Sequence, residues 1–544
     1  MCFEIRERDL LARIGRLETK SGVVETPALL PVVNPAVRLI PPKELYERFK
    51  CRAIITNAYI LLRRFGWEAA NRGVHNILGF NGVVMTDSGA YQILQYGAVD
   101  VEPDEIIRFQ EDINTDIAVI LDVPTGWGGR KHAEDTVEET LRRAERFWRV
   151  KSRDDILWVG PIQGGRHLDL VAFSARRVAE MPFNIHALGS PTEVMERYQY
   201  PLLVDMVMTA KTNIPLSRPL HLFGAGHPHT FALAVAMGCD LFDSASYAIY
   251  ARDGRYMTPH GTLRLERLQY FPCSCPECAR NDPEDVKSLP EEEKVAFLAR
   301  HNLYVCLSEV QRVKQMIVEG RLWEYLLGVA HAHPSLWQAV RRLTKYWRFI
   351  ERVDKLSKRS AFFYGVDVEL FRPEVVRYRA RLFGRYRPPS GASLLLLMPP
   401  PQGRPIHLSQ EYKLFMELLQ NLLGKERHAV HLAVYLAPFG AIPIELTGVY
   451  PISQHESAEP SSEIIQKTAR QTAKYVRVMG YKAVLHATTE DKLSIRIAEE
   501  CRKACKAKGI IYEEIPTEKP WKPEQLSTII SKATSILNRL TKGT

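Results

Sequence analysis

Between residues 53 and 245 the sequence repeats one unit: a short apolar run rich in β-branched residues, a polar turn, and a helix-like stretch. The seven apolar runs lie at 53–59, 83–89, 117–124, 157–164, 184–189, 219–226 and 239–245. Helical patterns between them include 133–150 and 229–238. Strands that alternate with helices in this way form parallel sheets. With an eighth strand predicted at 254–266, the count favours a (β/α)8 TIM barrel over an open sheet.

Polar side chains stand where four of these apolar runs end. They are Asp87, Asp122, Gln163 and Asp243. The carboxyl ends of TIM-barrel strands converge on one face, which carries the active site. A single acidic residue after a strand is most often a turn or cap residue. Several such residues from separate strands indicate a pocket, and Gly89 lets a ligand approach the backbone beside Asp87.

Asp87 and Asp243 form the pair that suggests a chemistry. Two carboxylates across a pocket suit displacement at a glycosidic carbon, because one can attack the anomeric carbon while the other transfers the proton of the leaving group. Arg252 and Arg255 follow Asp243 and are expected to bind a phosphate or to keep a carboxylate ionised. Tyr91 follows Asp87 and suits stacking against a flat ring.

Other residues in these turns suit recognition of a heterocycle. Asp122 and Gln163 can accept and donate hydrogen bonds to ring N–H and carbonyl groups. Residues 164–165 and 189–190 offer backbone amides with little side-chain bulk. Phe223 is a candidate for one wall of an aromatic sandwich around such a ring. For each of these residues taken alone, a place in the core or in a turn is the alternative interpretation.

Three of the nine cysteines are clustered as Cys273-x-Cys275-x-x-Cys278, and His301 follows 23 residues later. Three thiolates and one imidazole are the closed tetrahedral ligand set of a structural zinc site. Cys306 is the alternative fourth ligand. A tight cluster in a large chain without a secretory signal indicates a metal site rather than a disulfide framework. Since protein fills all four positions, we predict no catalytic role for the metal.

Bulk properties add a weak indication of the partner and the compartment. The net charge of +10 fits an anionic partner such as nucleic acid, although plain solubility explains it as well. No apolar run of about 20 residues is present, and residues 1–10 lack the apolar segment of a signal peptide, so the cytoplasm is the expected location. Segments 341–359 and 377–387 interleave Arg and Lys with aromatic residues and are candidate RNA-binding surfaces, or else solvated helix faces.

The repeat ends near residue 270, and the rest of the chain is organised differently. We predict a TIM-barrel catalytic domain at 1–356 with a zinc-binding subdomain inserted at about 270–320, a linker and basic segment at 357–390, and a smaller α/β domain at 391–544. The strands predicted for the smaller domain lie at 392–398, 429–438, 481–488 and 509–516. Its predicted helices lie at 410–424, 461–480 and 494–509.

Several stretches together resemble the tRNA-guanine transglycosylases. They are MTDSGAYQ (85–92), PIQGG (161–165), HALGSPTE (186–193), LFGAG (222–226), LFDSASYAIYARDGR (241–255) and the cysteine cluster followed by His301. The HALGSPTE stretch and the long C-terminal extension resemble the archaeal members of this family. The resemblance is dense over about residues 1–350 and loose over the extension.

The resemblance implies base exchange in tRNA, in which the 7-deazaguanine preQ0 replaces guanine at position 15 of the D-arm during archaeosine biosynthesis. It implies that Asp243 is the nucleophile on ribose C1′ and that Asp87 is the general acid/base, with the reverse assignment as the alternative. This chain has Tyr91 where the family usually has Phe. The base-binding residues implied by the resemblance are Ser88, Tyr91, Asp122, Gln163, Gly189, Ser190 and Phe223.

The resemblance also implies a homodimer formed near the zinc region, one structural Zn2+ per chain, and no ATP or redox cofactor. Archaeal members usually end in a PUA RNA-binding domain, and the segment before Thr544 leaves no room for one. A separately encoded PUA-type protein would then supply that RNA contact. Residues 398–412 resemble a loop of the related archaeosine synthase, but they lack its cysteine and carry Arg404-Pro405-Ile406 instead of its Lys-Pro-Tyr, so the synthase's chemistry is not expected.

Two other functions are consistent with parts of the sequence. The first is a non-catalytic tRNA-binding paralogue or subunit, against which the presence of both Asp87 and Asp243 argues. The second is a metal-dependent barrel hydrolase, against which the closed set of zinc ligands argues. His227-Pro228-His229 is the only histidine cluster near a strand end, and we interpret it as a turn.

Overall fold

The computed structural model describes residues 2–37, 39–90 and 101–542. The chain divides into two compact units, Met1–Lys355 and Leu356–Thr544. Among the described residues, no helix combines the length and the apolar character that crossing a membrane requires.

The first unit opens with an antiparallel sheet that the sequence pattern does not predict. Its strands are β1 (Phe3–Asp9), β2 (Ala12–Thr19) and β3 (Gly22–Thr26). The parallel strands that follow are β4 (Ala28–Pro31), β5 (Ala53–Asn57), β6 (Val83–Asp87), β7 (Ile117–Val119), β8 (Leu157–Ile162), β9 (Ile185–Leu188), β10 (Leu220–Leu222) and β11 (Leu241–Ser244). They pair in the order β4-β11-β10-β9-β8-β7-β6-β5. A parallel bridge from Val32 to Ile55 joins the two ends, so the sheet is a barrel as predicted.

The predicted eighth strand at 254–266 is wrong, because β4 supplies the eighth barrel strand. Residues 254–266 instead contain the antiparallel hairpin β12 (Arg255–Thr258) and β13 (Gly261–Arg264), in which Thr258 pairs with Gly261 across a two-residue turn. So short a turn returns the chain antiparallel, whereas a parallel barrel strand needs a long crossover connection. The seven repeating runs of the sequence each contain one of the strands β5 to β11.

Helices cover the barrel in the segments that follow its strands. They are α1 (Pro42–Glu47), α2 (Ala58–Phe65), α3 (Glu68–Arg72), α4 (Val74–Leu78), α5 (Pro103–Asp112), α6 (Arg130–Val150), α7 (Leu168–Ala179), α8 (Thr192–Glu196), α9 (Tyr200–Thr212), α10 (Pro228–Ala236) and α11 (Ser246–Arg252). Helix α6 buries Val137, Leu141 and Ala144, which recur at helical spacing. The barrel interior is filled by strand residues such as Ile55, Met85 and Val159.

The remainder of the first unit is helical. It contains α12 (Pro283–Ser288), α13 (Glu291–Glu319), α14 (Leu322–Ala330), α15 (Pro334–Leu343) and α16 (Trp347–Val353). Helix α13 spans 29 residues and ends at Gly320, which adopts the left-handed conformation that favours glycine. Phe297, Leu298 and Leu303 of α13 belong to a core that extends from α2 and α4 to the cysteine cluster.

The second unit is a smaller α/β domain with a five-stranded sheet in the order β17-β16-β15-β19-β20. Its strands are β14 (Phe362–Tyr364), β15 (Leu394–Met398), β16 (Val430–Leu436), β17 (Gly440–Pro443), β18 (His455–Ser457), β19 (Ala483–Thr488) and β20 (Ile511–Pro516). Its helices are α17 (Pro373–Gly384), α18 (Gln410–Leu423), α19 (Ser462–Val478), α20 (Lys492–Lys508) and α21 (Pro523–Lys542).

The central strand of this sheet explains its apolar sequence. Leu395 and Leu397 of β15 pack in one buried cluster, while Leu394 and Leu396 pack in another on the opposite face. A parallel strand covered by helices on both faces reads as a continuous apolar run. The edge strand β17 and the pair β14–β18 are not predicted from the sequence, and β14 lies within the segment interpreted as a linker.

Candidate active site and metal centre

Three carboxylates meet at the carboxyl face of the barrel. Asp87 is the last residue of β6, Asp122 follows β7 by three residues, and Asp243 is the third residue of β11. Because the strands are parallel, their carboxyl ends lie on the same face. The charges of Asp122 and Asp243 both act on Asp87, so the three side chains share one electrostatic environment.

Asp87 is bonded to the neighbouring strand and has a raised pKa. Strands β5 and β6 pair Asn57 with Asp87 in register, and the Asn57 amide donates to Asp87 Oδ2 over 3.1 Å. Burial raises the pKa of Asp87 to about 7, with further upward contributions from the charges of Asp122 and Asp243. A carboxyl group with this pKa is populated in both protonation states near neutral pH, which suits a residue that donates and accepts protons.

Asp243 is held by an imidazole and a backbone amide. The ring of buried His221 donates through Nε2 to Asp243 Oδ1 over 2.8 Å, and the Gly224 amide donates to the same oxygen over 3.1 Å. Both bonds use Oδ1, and no described residue forms a hydrogen bond to Oδ2. The expected partners Arg252 and Arg255 are not among these donors, and Arg255 pairs with Asp253 over 2.5 Å instead. Asp243 therefore presents one oxygen to the pocket while the other holds its orientation.

Asp122 and Gln163 are bonded to each other at the same carboxyl face of the barrel. Gln163 Nε2 donates to Asp122 Oδ2 over 2.5 Å, and Gln163 Oε1 accepts from the Thr125 amide over 3.1 Å. A backbone amide can only donate, so this contact fixes which end of the Gln163 amide faces Asp122. Burial raises the pKa of Asp122 to about 6.

Gly189 and Ser190 close this network. A Cβ on Gly189 would lie 2.2 Å from Gln163 Nε2, so any larger residue would displace Gln163. Ser190 has a φ of +62°, uncommon outside glycine, and its hydroxyl donates to Gln163 Oε1 and accepts from the Gly126 amide, each over 3.0 Å. Strained backbone of this kind concentrates at functional sites.

The remaining residues predicted to contact the base are Phe223, Ser88 and Tyr91. Phe223 is half-buried, with its ring 4.7 Å from the His221 ring, so it lies beside Asp243. Ser88 is buried, and its hydroxyl has no hydrogen-bond partner among the described residues. Tyr91 lies outside the described residues. The structure thus brings Ser88, Gly189 and Phe223 to the strand ends that carry the carboxylates.

Three residues of the site escape the sequence analysis. Asn57 and Thr125 follow apolar runs, as Asp87 does, and the rule applied to carboxylates could have found them. His221 lies inside the apolar run of β10, where a buried histidine is indistinguishable from a core residue in sequence. Only the pairing of β10 with β11 places it against Asp243.

The four predicted metal ligands lie together in the first unit. Their donor atoms are all within 4.8 Å of one another, and they are Cys273, Cys275, Cys278 and His301. Cys275 Sγ is 3.6 Å from Cys278 Sγ, and His301 Nδ1 is 3.5 and 3.3 Å from these two sulfurs. Tetrahedral zinc, with bonds of about 2.3 Å to sulfur and about 2.0–2.1 Å to nitrogen, separates its ligand atoms by about 3.5–3.8 Å. The donor set therefore fits zinc.

The surroundings of His301 prepare it as a ligand. Its Nε2 donates to the Met257 carbonyl over 2.9 Å, which leaves the Nδ1 lone pair facing the thiols. Tyr256 stacks on the imidazole with ring centroids 3.6 Å apart. The alternative ligand Cys306 is wrong, because its sulfur contacts the Gly226 carbonyl and Met257 Sδ and is not part of the cluster.

The histidine pair at 227 and 229 does not form a second metal centre. The two rings are 3.8 Å apart, and His229 Nε2 is bonded to the Tyr200 hydroxyl over 2.8 Å. Within the described ranges, the cysteine cluster with His301 is the only group of three or more potential ligands. His227 immediately precedes α10, which agrees with the interpretation as a turn.

The two basic segments expected to bind RNA are partly used for folding. Arg342 pairs with Asp205 over 2.6 Å in the first segment, and Lys358 pairs with Glu374 inside the second unit. In the second segment Arg377 is buried, and Arg379 donates to two backbone carbonyls. These four cations therefore stabilise the protein itself, and only the other basic residues of the segments are left as candidates for RNA.

Comparison with known proteins agrees with this geometry. A family model described as queuine tRNA-ribosyltransferase matches residues 9–335, and a model described as a domain of unknown function matches residues 375–529. A tRNA-guanine(15) transglycosylase of Sulfolobus acidocaldarius is 40% identical over 501 residues, which cover 89% of this chain and 96% of that protein. Proteins of the same description from Aeropyrum pernix and Pyrobaculum aerophilum are 42% and 44% identical; the matches cover 88% and 85% of this chain and 92% and 91% of those proteins.

Proposed function

The chain belongs to the queuine tRNA-ribosyltransferase family, a family of transferases, and from this premise we propose that it is a tRNA-guanine(15) transglycosylase. It exchanges the encoded guanine for the 7-deazaguanine preQ0 on the route to archaeosine. The observation that carries this proposal is the group of three carboxylates at the barrel rim, with Asp87 titrating near neutral pH. A non-catalytic subunit would have no use for a carboxyl group that is costly to keep in this state.

The proposed reaction is a double displacement. Asp243 Oδ2 forms a bond to ribose C1′ as the bond from C1′ to guanine breaks, and the departing guanine takes up the proton of Asp87. The incoming base then attacks C1′, the ester bond to Asp243 breaks, and the ring proton of the incoming base passes to Asp87. One glycosidic bond replaces another, so the cycle restores both carboxyl groups without an energy source.

Base recognition is assigned to Asp122 and Gln163. Asp122 is oriented by Gln163 and can accept hydrogen bonds from ring N–H groups of guanine or preQ0. Gly189 and Ser190 keep Gln163 in place and offer backbone groups to the base edge, and Phe223 offers one stacking surface. Chemistry at C1′ requires the nucleotide to be extruded from the folded tRNA, at a cost of about a few kcal/mol.

Zinc is assigned to Cys273, Cys275, Cys278 and His301, one ion per chain and with a structural role. The closed set of four protein ligands leaves no position for substrate. Bound there, the ion would tie the loop after β13 to helix α13. Metal analysis of the purified protein, with Cys273→Ser as comparison, is expected to find one equivalent of zinc in the wild type and a large loss in the variant. Full zinc content in the variant would contradict the assignment.

Two partners complete the proposal. We assign a homodimer formed near the zinc region, which light scattering on the purified protein tests directly. A PUA-type RNA-binding protein encoded elsewhere is the proposed source of further tRNA affinity. An unchanged KM for tRNA after addition of such a protein would contradict the assignment of a PUA-type partner.

The activity is tested by incorporation of labelled preQ0 into a tRNA transcript with guanine at position 15. Wild type is expected to incorporate label, whereas Asp87→Asn and Asp243→Asn are not. Asp154→Asn is the matched control, because the Asp154 side chain is 97% exposed and precedes the amino end of β8, whereas the site residues stand at the carboxyl ends of the strands. Transcripts with another base at position 15 should remain unlabelled. A wild-type protein that binds tRNA without incorporating label would favour the non-catalytic function.

A further inference from the structure

Three side chains at the rim of the barrel form an arrangement that the reaction above does not use. Trp127 lies in the loop between β7 and α6 and is half-buried. The guanidinium carbon of Arg166 lies 5.2 Å from the centre of the Trp127 ring, and that of Arg197 lies 4.8 Å from it. Both arginines are exposed. The Trp127 indole ring therefore positions two guanidinium groups at the edge of the barrel.

These side chains follow the same three strands as residues of the candidate active site. Asp122 and Trp127 follow β7, Gln163 and Arg166 follow β8, and Ser190 and Arg197 follow β9. The loops are tied together, since the Gly126 amide donates to the Ser190 hydroxyl over 3.0 Å. A Cβ on Gly165, next to Arg166, would lie 2.9 Å from the Gly126 carbonyl. The Trp127 group is therefore held in a fixed position directly beside the pocket.

The charges of the two arginines are largely unmatched by the protein. No carboxylate among the described residues pairs with Arg166. Arg197 approaches Glu193 at 3.9 Å, an exposed contact of little energetic value. Arg130, at the same rim, is different: it bonds Glu134 over 2.8 Å and Asp169 over 2.9 Å. The chain thus neutralises one rim arginine and leaves the two at Trp127 available.

We propose that Arg166 and Arg197, held on Trp127, bind backbone phosphates of the RNA beside the nucleotide that is extruded into the pocket. Stacking of a guanidinium on an aromatic face leaves its N–H edge free, and that edge matches two phosphate oxygens. Pre-orientation on the ring reduces the conformational entropy lost on binding. The proposal rests on the proposed function, because that function supplies the RNA. Phosphate contacts of this kind fix register and orientation without reading sequence.

The test uses the full-length protein and a tRNA transcript, with binding measured over a range of salt concentrations and exchange kinetics measured in parallel. Arg166→Ala and Arg197→Ala are each expected to raise the Kd and the KM for tRNA about tenfold. Each should reduce the slope of log K against log salt by about one. The KM for the base and the kcat at saturating tRNA should stay within about threefold, since neither arginine touches the reacting atoms.

Arg166 and Arg197, held on Trp127, form what we call the arginine clamp. Matched variants distinguish phosphate binding by this clamp from a general effect of lost positive charge. Arg130→Ala removes a rim arginine that is already paired, and tRNA affinity should change by less than about twofold. Trp127→Phe keeps an aromatic face and should retain most of the affinity, whereas Trp127→Leu should weaken binding. Unfolding curves of all variants check that the barrel is intact.

The outcomes are distinguishable. A wild type that binds tRNA with the expected salt dependence but never exchanges a base defeats the proposed function and leaves the clamp measurable by binding. A wild type that exchanges bases, with Arg166→Ala and Arg197→Ala indistinguishable from Arg130→Ala in Kd and salt slope, overturns the clamp. A change in the KM for the base instead of the KM for tRNA would overturn it as well.

Discussion

The two ends of strand β11 carry aspartates only three residues apart in sequence, in opposite electrostatic environments. Asp240, just before the strand, receives Arg13 Nε on Oδ1 and Arg13 Nη2 on Oδ2, each over 2.7 Å. Lys211 Nζ lies 3.9 Å from the same carboxylate, and all three side chains are buried. Asp243, at the other end, accepts only from His221 and the Gly224 amide among the described residues, and its charge contributes to the raised pKa of Asp87.

The difference separates a structural charge from a chemical one. At the amino end the Asp240 carboxylate is paired with Arg13 and lies close to Lys211, so the cluster ties β2 and α9 to the barrel. At the carboxyl end, burial together with the charges of Asp122 and Asp243 raises the pKa of Asp87 to about 7. A carboxyl group with a pKa raised in this way is costly to the fold, and a binding or catalytic function is the usual reason for retaining it.

The largest expected effect is on turnover, at the carboxyl end. Asp243→Asn keeps the shape of the side chain and removes the nucleophile, so base exchange should fall by about 10⁴-fold or more. The free energy of unfolding should change little, because the Asn side chain keeps an Oδ1 that accepts from His221 and from the Gly224 amide. Single-turnover exchange assays and denaturant unfolding of the same preparation measure both. Covalent RNA adduct formed by Asp243→Asn but not by Asp87→Asn would reverse the proposed roles.

The next effect is on stability, at the amino end. Arg13→Ala leaves the Asp240 carboxylate buried beside only the more distant Lys211, so the first unit should lose about 3–5 kcal/mol of unfolding free energy. Turnover per folded molecule should stay near wild type, since Arg13 is at the opposite end of the barrel. Arg6→Ala is the control, because Arg6 is half exposed and should change stability by less than about 0.5 kcal/mol. Equal losses in the two variants would show that the buried pair of Arg13 and Asp240 does not stabilise the first unit.

A smaller effect concerns stability and pH. The pKa of Asp87 is raised to about 7 in the folded state, against about 3.9 in an unfolded chain, so between these values the folded state holds more protons. Stability should therefore fall as pH rises from about 4 to about 7, and Asp87→Asn should escape this loss. Near pH 8 the variant should be more stable than wild type by about 3–4 kcal/mol, and near pH 4 the gap should close.

Unfolding curves at the two pH values test this, with Asp240→Asn as the opposite case. Asp240→Asn should be less stable than wild type at both pH values, because it leaves Arg13 without its carboxylate. A constant difference between Asp87→Asn and wild type across the pH range would show that Asp87 does not titrate as described.

The smallest effect is a shift of a pH profile. If protonated Asp87 is needed for guanine to leave, kcat/KM should decline as pH rises through about 7. The charge of Asp122 contributes to the raised pKa, so Asp122→Asn should move this decline to lower pH, by less than about one unit. Activity in the variant will be lower because base recognition is weakened, but the position of the decline can still be read. A decline displaced to higher pH would contradict the electrostatic account.

Much of the barrel was predictable, and the exceptions have physical reasons. Strands β5 to β11 are each followed by a turn and helix, so their pattern repeats, and the central strand β15 is apolar because both its faces are covered. Strand β4 has four residues and precedes the repeat, so nothing local marks it as the strand that closes the ring. The hairpin at 255–264 has the composition of strands but reverses direction across a two-residue turn.

The sequence by itself determined which residue types stand at strand ends and which lie at metal-ligand spacing, because period, turn chemistry and ligand spacing are local properties. Asp87, Asp122, Asp243 and the cysteine cluster were found in that way. Only the tertiary structure decided the partners of these groups. Arg13 meets Asp240 across 227 positions, and His221 meets Asp243 because β10 and β11 pair in register. Closure of the barrel brings distant residues together, and those contacts decide whether an aspartate is neutralised as part of the core or left with a raised pKa in a pocket.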